Sequence, residues 1–247
     1  MLERELAVLL LSALSEKQQK LIEFITEYGI DGLPDYGDTI LLQGWDQYFE
    51  EVSRILLDAT VYSSREILSE SNREPSDYFL NQVAKENYQI ANEEAAALLG
   101  LHWDRISGLA SGGLAVIWGL SQTLLDQIEK AVTQAEEEGW TSSQVEQEIT
   151  NLGGFGADRA KQLSQNALSF VDGKSSRRVA SMTGATEKLS ETVGDDHVCA
   201  ECEENEADGW IPINEQFSGS GTEDTPHHPN CRCSVSYRWQ EAAVTAV

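Results

Sequence analysis

The sequence predicts a mainly α-helical protein that ends in a small α+β module, and three observations carry that prediction. Apolar residues recur at the helical period through most of the chain, apolar/polar alternation appears only near the end, and all four cysteines fall between positions 199 and 233. With 247 residues, 40% of them hydrophobic, the chain has material for one large domain or two modest ones. We place a helical assembly region at 1–140 and a second region at 141–247, with the cysteine-bearing module at about 188–240.

From Leu2 to Tyr28 the helical spacing is set by Leu2, Leu6, Leu9, Leu10, Ala13, Leu14, Leu21, Phe24 or Ile25, and Tyr28, and Gly29 ends the run. The apolar stretch Val8 to Leu11 is far too short to span a bilayer, and Glu3 and Glu5 stand where a signal peptide has basic residues. The expectation is a chain that folds in a reducing cytoplasm and does not enter a membrane. Gly29 to Asp38 reads as a loop, because Gly and Pro punctuate it.

Trp45 to Ser71 forms a second helix with Trp45, Phe49, Val52, Leu56, Ala59 and Ile67 along one side. Pro75 interrupts, and Ser76 caps a third helix from Asp77 to Leu99 that has Phe79, Leu80, Val83, Tyr88, Ala91 and Ala95 to Leu99 to bury before Gly100. Residues 101–120 mix Trp and Ile with four glycines and suggest a buried or subunit-facing elbow. A helix returns over 121–138, closed by Gly139. Trp140 to Ser143, followed by Glu146, then starts a short helix over 142–152.

Gly153-Gly154-Phe155-Gly156 has no preceding strand and no Gly-Lys-Ser/Thr ending, so it reads as a flexible joint, not a phosphate-binding loop. Asp158 to Met182 is a long helix with Ala160, Leu163, Ala167, Phe170 or Val171, and Val179 inward, and with Gly173 as a bend. Lys188 to Val193 and Cys233 to Trp239 alternate as strands do. Pairing these strands would bring two clusters of soft ligands together.

The first cluster is Cys199-x-x-Cys202, a spacing that sets two thiolates on one tight turn. The second is His228-Pro229-Asn230-Cys231-Arg232-Cys233. A tetrahedral zinc ion takes four donors, and Cys199, Cys202, His228 and Cys231 supply them, with Cys233 as the alternative ligand in place of His228 or Cys231. The acidic, Gly-rich surroundings offer little apolar surface, so a structural zinc ion, contributing about 10–16 kcal/mol, would order them. Trp210, Ile211, Ile213 and Phe217 are expected to pack over the site. Two disulfides, or four unrelated thiols, are the competing reading.

A net charge of −25 and a pI near 4.3 oppose generic wrapping of nucleic acid. The local exception is Lys174, Arg177 and Arg178, with Lys188 nearby, which reads as a solvated helix face or as a contact for an acidic partner or DNA. Catalysis finds little support. A deaminase needs His-x-Glu ahead of Pro-Cys-x-x-Cys, which is absent, and no Ser/His/Asp or Cys/His dyad is evident. A His-Asn-His nuclease, built from His197, His227, His228 and Asn230, is the nearer alternative. It lacks a basic surface, and four protein ligands leave the metal no open position. His197 and His227 read as exposed loop residues, and Glu201, Glu203, Glu204 and Glu206 as surface charge.

The strings Asp196-x-x-Cys199-x-x-Cys202, Asn205-x-Ala207-Asp208-Gly209-x-Ile211-Pro212-Ile213-x-Glu215-x-Phe217 and Pro226-x-His228-Pro229-Asn230-Cys231-Arg232-Cys233 together resemble the phage head morphogenesis family. These are the phage Mu F-like minor head, or minor capsid, proteins, and the resemblance covers roughly residues 141–240. The chain departs from the family pattern at Thr192 and Gly194, where an aromatic often leads in, and at Ala200, where Pro is usual. None of these is a candidate ligand. The resemblance implies a non-enzymatic virion protein, present in several copies in the head near the portal vertex. It implies contacts with the portal protein and the major capsid protein, and a role in head morphogenesis and in DNA packaging or ejection. Lys174, Arg177 and Arg178 are then the candidate contacts to packaged DNA.

Overall fold

Local capping and apolar spacing set most of the helices seen in the computed structural model, which describes residues 1–28, 44–72, 74–99, 101–103, 110–112, 127, 128, 130, 131, 133–135 and 137–239. Helix α1 spans Leu2–Tyr28. A 3-10 turn at Asp46–Tyr48 leads into α2, Phe49–Glu70, and α3 is Asp77–Leu99, begun by Ser76, whose Oγ accepts from the Phe79 N–H at 3.3 Å. Strands β1 (Leu101–Trp103) and β2 (Ala110–Gly112) pair antiparallel, so the expected elbow contains a short β pair. The expected stops at Gly29 and Gly100, the loop over 29–38, and residues 104–109 and 113–126 lie outside the described residues.

The described residues from 127 to 138 are helical, and α4 follows as Ser142–Asn151. Its start is a capping box of Thr141 with Gln144, whose Oε1 accepts from the Thr141 N–H at 2.9 Å, in place of the expected pairing toward Glu146. Gly153–Phe155 is a 3-10 turn with Phe155 buried, so the expected flexible joint is anchored. Helix α5 is Ala157–Met182, β3 is Ala185–Glu191, α6 is Ala200–Ala207, β4 is Ile211–Pro212 and β5 is Ser234–Trp239. The protein is thus mainly helical, with a small three-stranded sheet near its end, and no described helix is long and apolar enough to cross a membrane.

The chain groups into two compact units: residues 1–55 with 92–165, and residues 56–91 with 166–247. In the first, α1 buries Leu6, Leu10, Ala13, Leu14, Leu21 and Ile25. The same stripe buries Lys17, whose Nζ sits 5.2 Å from the centroid of the buried Trp45 ring. The Gln18 side chain donates to the Ile149 carbonyl at 2.9 Å, tying α1 to α4.

In the second unit, Ile67 of α2, Val83 of α3 and Val179 and Ala180 of α5 pack with Ala185, Ile213 and Tyr237 from the sheet. Leu80 and Tyr88, expected to be buried, are 42% and 49% exposed; Asn87 takes an inner place instead, bonded to Ser64 at 3.0 Å. The sheet order is β4-β3-β5, all antiparallel, with Lys188 opposite both Ile211 and Tyr237, and Glu191 opposite Ser234. That register sets the chain leaving β3 beside the residues entering β5, as the alternating pattern led us to expect.

The inward face of β3 is polar, reversing the usual expectation: Lys188 and Ser190 are fully buried, and Leu189 is only half-buried. The Lys188 ammonium donates to the Glu223 carbonyl at 2.6 Å and sits 4.7 Å from the Phe217 ring centroid. Burial lowers its pKa to about 8 from an ordinary 10.5. Below pH 8 both folded and unfolded chains hold this proton, and the burial cost is present in full. Between pH 8 and 10.5 the folded chain has released a proton that the unfolded chain still binds, so stability rises with pH. Relative to Lys188→Met, the protein should gain up to about 3 kcal/mol across that window. Urea unfolding of both proteins at pH 7.5 and pH 10 measures the difference, and a gap that does not change with pH contradicts the assignment.

Candidate metal centre

Cys199 and Cys202 lie on the first turn of α6, not on an isolated tight turn. Cys199 takes the N-cap position in extended conformation, Glu201 and Glu203 follow in the first turn, and Gly209 closes the helix at φ +67°. The backbone N–H of Cys202 points at the Cys199 sulfur, and this, ahead of other causes, holds the Cys199 thiol below its ordinary range. The same helix was hidden in the sequence because only Cys202 and Asn205 of its residues are buried, too few to show a period.

The opposing ligands come from the turn ahead of β5. Asn230 adopts φ +63°, and its N–H donates to Asn166 Oδ1 of α5 at 2.9 Å, while the Cys231 N–H closes the turn on the His228 carbonyl at 3.1 Å. His228 Nδ1 lies 2.9 Å from the Pro229 carbonyl oxygen. A carbonyl only accepts, so Nδ1 carries the proton and Nε2 presents its lone pair inward. Nε2 is 3.1 Å from Cys199 Sγ and 3.2 Å from Cys202 Sγ, and Cys202 Sγ is 3.9 Å from Cys231 Sγ.

Two three-donor groups result, Cys199-Cys202-His228 and Cys202-Cys231-Cys233, each with its donor atoms within 4.8 Å of one another. Cys202 belongs to both. The donor spacings bracket the roughly 3.5–3.8 Å edges of a tetrahedral zinc site with sulfur and nitrogen ligands. A cavity of about 20 Å³, the size of one ion or water, is lined by Cys199, Cys202, His228 and Cys233, with Arg232 and Asn230 on its wall. All four cysteines are free. Burial drives the Cys202 thiol strongly upward and raises Cys233 to about 11. Crowded thiols that resist ionisation together are what a divalent cation relieves.

Several side chains that the sequence left without a structural role hold the ligand loops, among them Glu206, expected to be surface charge. Asn205 of α6 is fully buried and clasps the 217–222 turn: its Oδ1 accepts from the Ser220 N–H and its amide donates to Ser220 Oγ, both at 3.0 Å. Glu206 accepts from the Thr192 N–H at 2.9 Å, and Asp208 from the Ser218 N–H at 2.8 Å. Gly219 admits no side chain, since a Cβ there would stand 2.5 Å from the Glu201 carbonyl oxygen. Of the residues expected to cover the metal, Ile213 joins the sheet core, Trp210 stacks under the Arg238 guanidinium at 3.9 Å, and Phe217 packs edge-on to His227. They brace the module's sheet and interior.

His197 is exposed, as expected, but His227 is not. It is 7% exposed, with Nε2 at 2.9 Å from Ser190 Oγ and Nδ1 at 2.8 Å from Thr222 Oγ1. Burial pushes its pKa down to about 4, so the ring is neutral at pH 7. A Ser–His pair therefore exists that the sequence did not reveal, but Ser190 is fully buried as well, which makes the pair a structural link between β3 and the ligand turn.

The basic island is also absorbed by the fold. Arg177 pairs with Asp224 at 2.5 Å and Glu223 at 2.9 Å, Arg178 pairs with Glu86 at 2.9 Å, and Lys174 lies 4.2 Å from the Phe170 ring centroid. Lys188 is buried. Arg177 and Arg178 thus neutralise acidic groups of the module's own turn and of α3.

Residues 126–236 match the family model described as phage Mu protein F like protein. No curated protein and no solved structure matches the chain.

Proposed function

We propose that this chain, whose residues 126–236 match the family model described as phage Mu protein F like protein, is a structural component of the phage head. The finer reading is a minor head protein in several copies near the portal vertex. It contacts the portal and the major capsid protein and acts in head morphogenesis and in DNA packaging or ejection. One observation carries this beyond the family match: two loops far apart in sequence bring Cys199, Cys202, His228, Cys231 and Cys233 into two donor groups that share Cys202, beside an ion-sized cavity lined by Cys199, Cys202, His228 and Cys233. That geometry suits a closed structural zinc site, with Cys199, Cys202, His228 and Cys231 as ligands and Cys233 as the alternative. A metal surrounded by four protein donors makes a rigid knob for docking and leaves no position for a substrate.

The nuclease alternative loses a participant, because His227 is enclosed among hydroxyls and His228 faces the thiols. DNA contact by Arg177 and Arg178 would have to break existing ion pairs, so protein partners are the stronger reading. Labelling the chain in intact particles and locating it by electron microscopy tests the proposal. Density on the inner head surface at the portal vertex is the expected result. Cleavage of duplex DNA by the pure protein with Mg²⁺ or Mn²⁺, lost in His228→Ala, would overturn it.

A further inference from the structure

The two ligand loops are joined by an ion pair that contains none of the ligands. Arg232 stands between Cys231 and Cys233, and its two terminal nitrogens donate to both oxygens of Asp195, at 2.6 and 2.7 Å. Asp195 lies four residues ahead of Cys199 in the other loop. It also organises the approach to that cysteine: its Oδ1 accepts from the His197 N–H at 3.0 Å, and its carbonyl accepts from the Val198 N–H at 3.2 Å. Arg232 itself lines the ion-sized cavity together with Cys199, Cys202 and His228.

We propose that Asp195 and Arg232 are positioning residues of the metal centre, a two-pronged clasp that fixes the spacing of its two ligand loops and so sets its affinity for the ion. The inference rests on the metal centre proposed above. Three arguments support it. The fork-to-fork geometry is directional, so it constrains the angle between the loops as well as their distance. A divalent ion with three thiolates and one imidazole carries a net negative charge, and the Arg232 guanidinium is the cation on the cavity wall. Finally, the two side chains are 48% and 38% exposed, and an exposed pair contributes little to global stability, so its role is separable from folding.

The test is the zinc affinity of the full chain, measured by competition with a chromogenic chelator, for the native protein, Asp195→Asn, Arg232→Lys and the double variant. Each single variant should bind zinc about 10–100-fold more weakly, as happens when groups that orient ligands are removed. Lysine keeps the charge and loses the fork, so a loss in Arg232→Lys reports geometry. The double variant should be no weaker than the worse single, because both changes remove one interaction. Thermal unfolding of the metal-free forms should not move. Native zinc affinity in either single variant, losses that add in the double variant, or an equal loss of metal-free stability would each overturn the clasp. A native chain that binds no zinc would overturn the metal centre itself, and the clasp with it.

Discussion

Removing the metal, or replacing Cys202 with serine, is expected to melt the segment 192–233. Helix α6 has eight residues, and isolated helices shorter than about 12–15 residues are marginal in water. It buries only Cys202 and Asn205, and β4 contributes two residues to the sheet. Apart from Ile213 and Phe217, hydrophobic burial therefore supplies little of the free energy needed to order this stretch, and metal ligation, at about 10–16 kcal/mol for a structural zinc site, supplies the rest. Cys202 is the donor to change first, since it belongs to both three-donor groups and is 3% exposed. Metal content per chain should fall close to zero in Cys202→Ser, and amide hydrogen exchange across 192–233 should rise toward unfolded rates. A chain that keeps its protection there without metal would show that the ligands are incidental to the fold.

Gly173→Ala should destabilise the second unit by about 3 kcal/mol or more, against the ordinary direction of this substitution. Within an exposed helix, alanine in place of glycine is worth up to about 1 kcal/mol of added stability. Here a Cβ would stand 2.1 Å from the Thr225 carbonyl oxygen and 2.8 Å from its Oγ1. The obstructing atom is backbone, and it leads directly into His227, held by Ser190 and Thr222, and His228, which faces two thiols. Relief requires moving the ligand turn off α5. Both the melting temperature and the zinc affinity of Gly173→Ala should fall, and a rise in melting temperature would mean that the two segments do not meet as described.

Much of this protein was legible in its sequence. Leu2–Tyr28 and Asp77–Leu99 match the expected helices end to end, and the inward set Trp45, Phe49, Val52, Leu56, Ala59 and Ile67 is buried throughout. The convergence of the five candidate donors was also legible, because sulfur and imidazole at short spacing are the residue types that hold soft metal ions. So was the pairing of β3 with β5 that joins their loops. The helices and strands depend on neighbours within a turn or two, the donors on a rare residue type, and the pairing on two alternating strands flanking the two ligand clusters.

Tertiary structure decided the rest. Gly173 looks like a helix bend until Thr225 arrives against it, His227 looks like a solvent-exposed loop residue until Ser190 and Thr222 surround it, and Arg177 looks like a free cation until Asp224 folds onto it. The sequence motif directs attention to Asp196, yet Asp195 holds Arg232. In each case at least one deciding partner lies tens of residues away, and whether a group is buried, paired or clashing is a property of that partner's position. Local spacing determined the helices and the donor atoms of this chain, and long-range packing alone determined which polar groups face inward and which ion pair crosses between the two ligand loops.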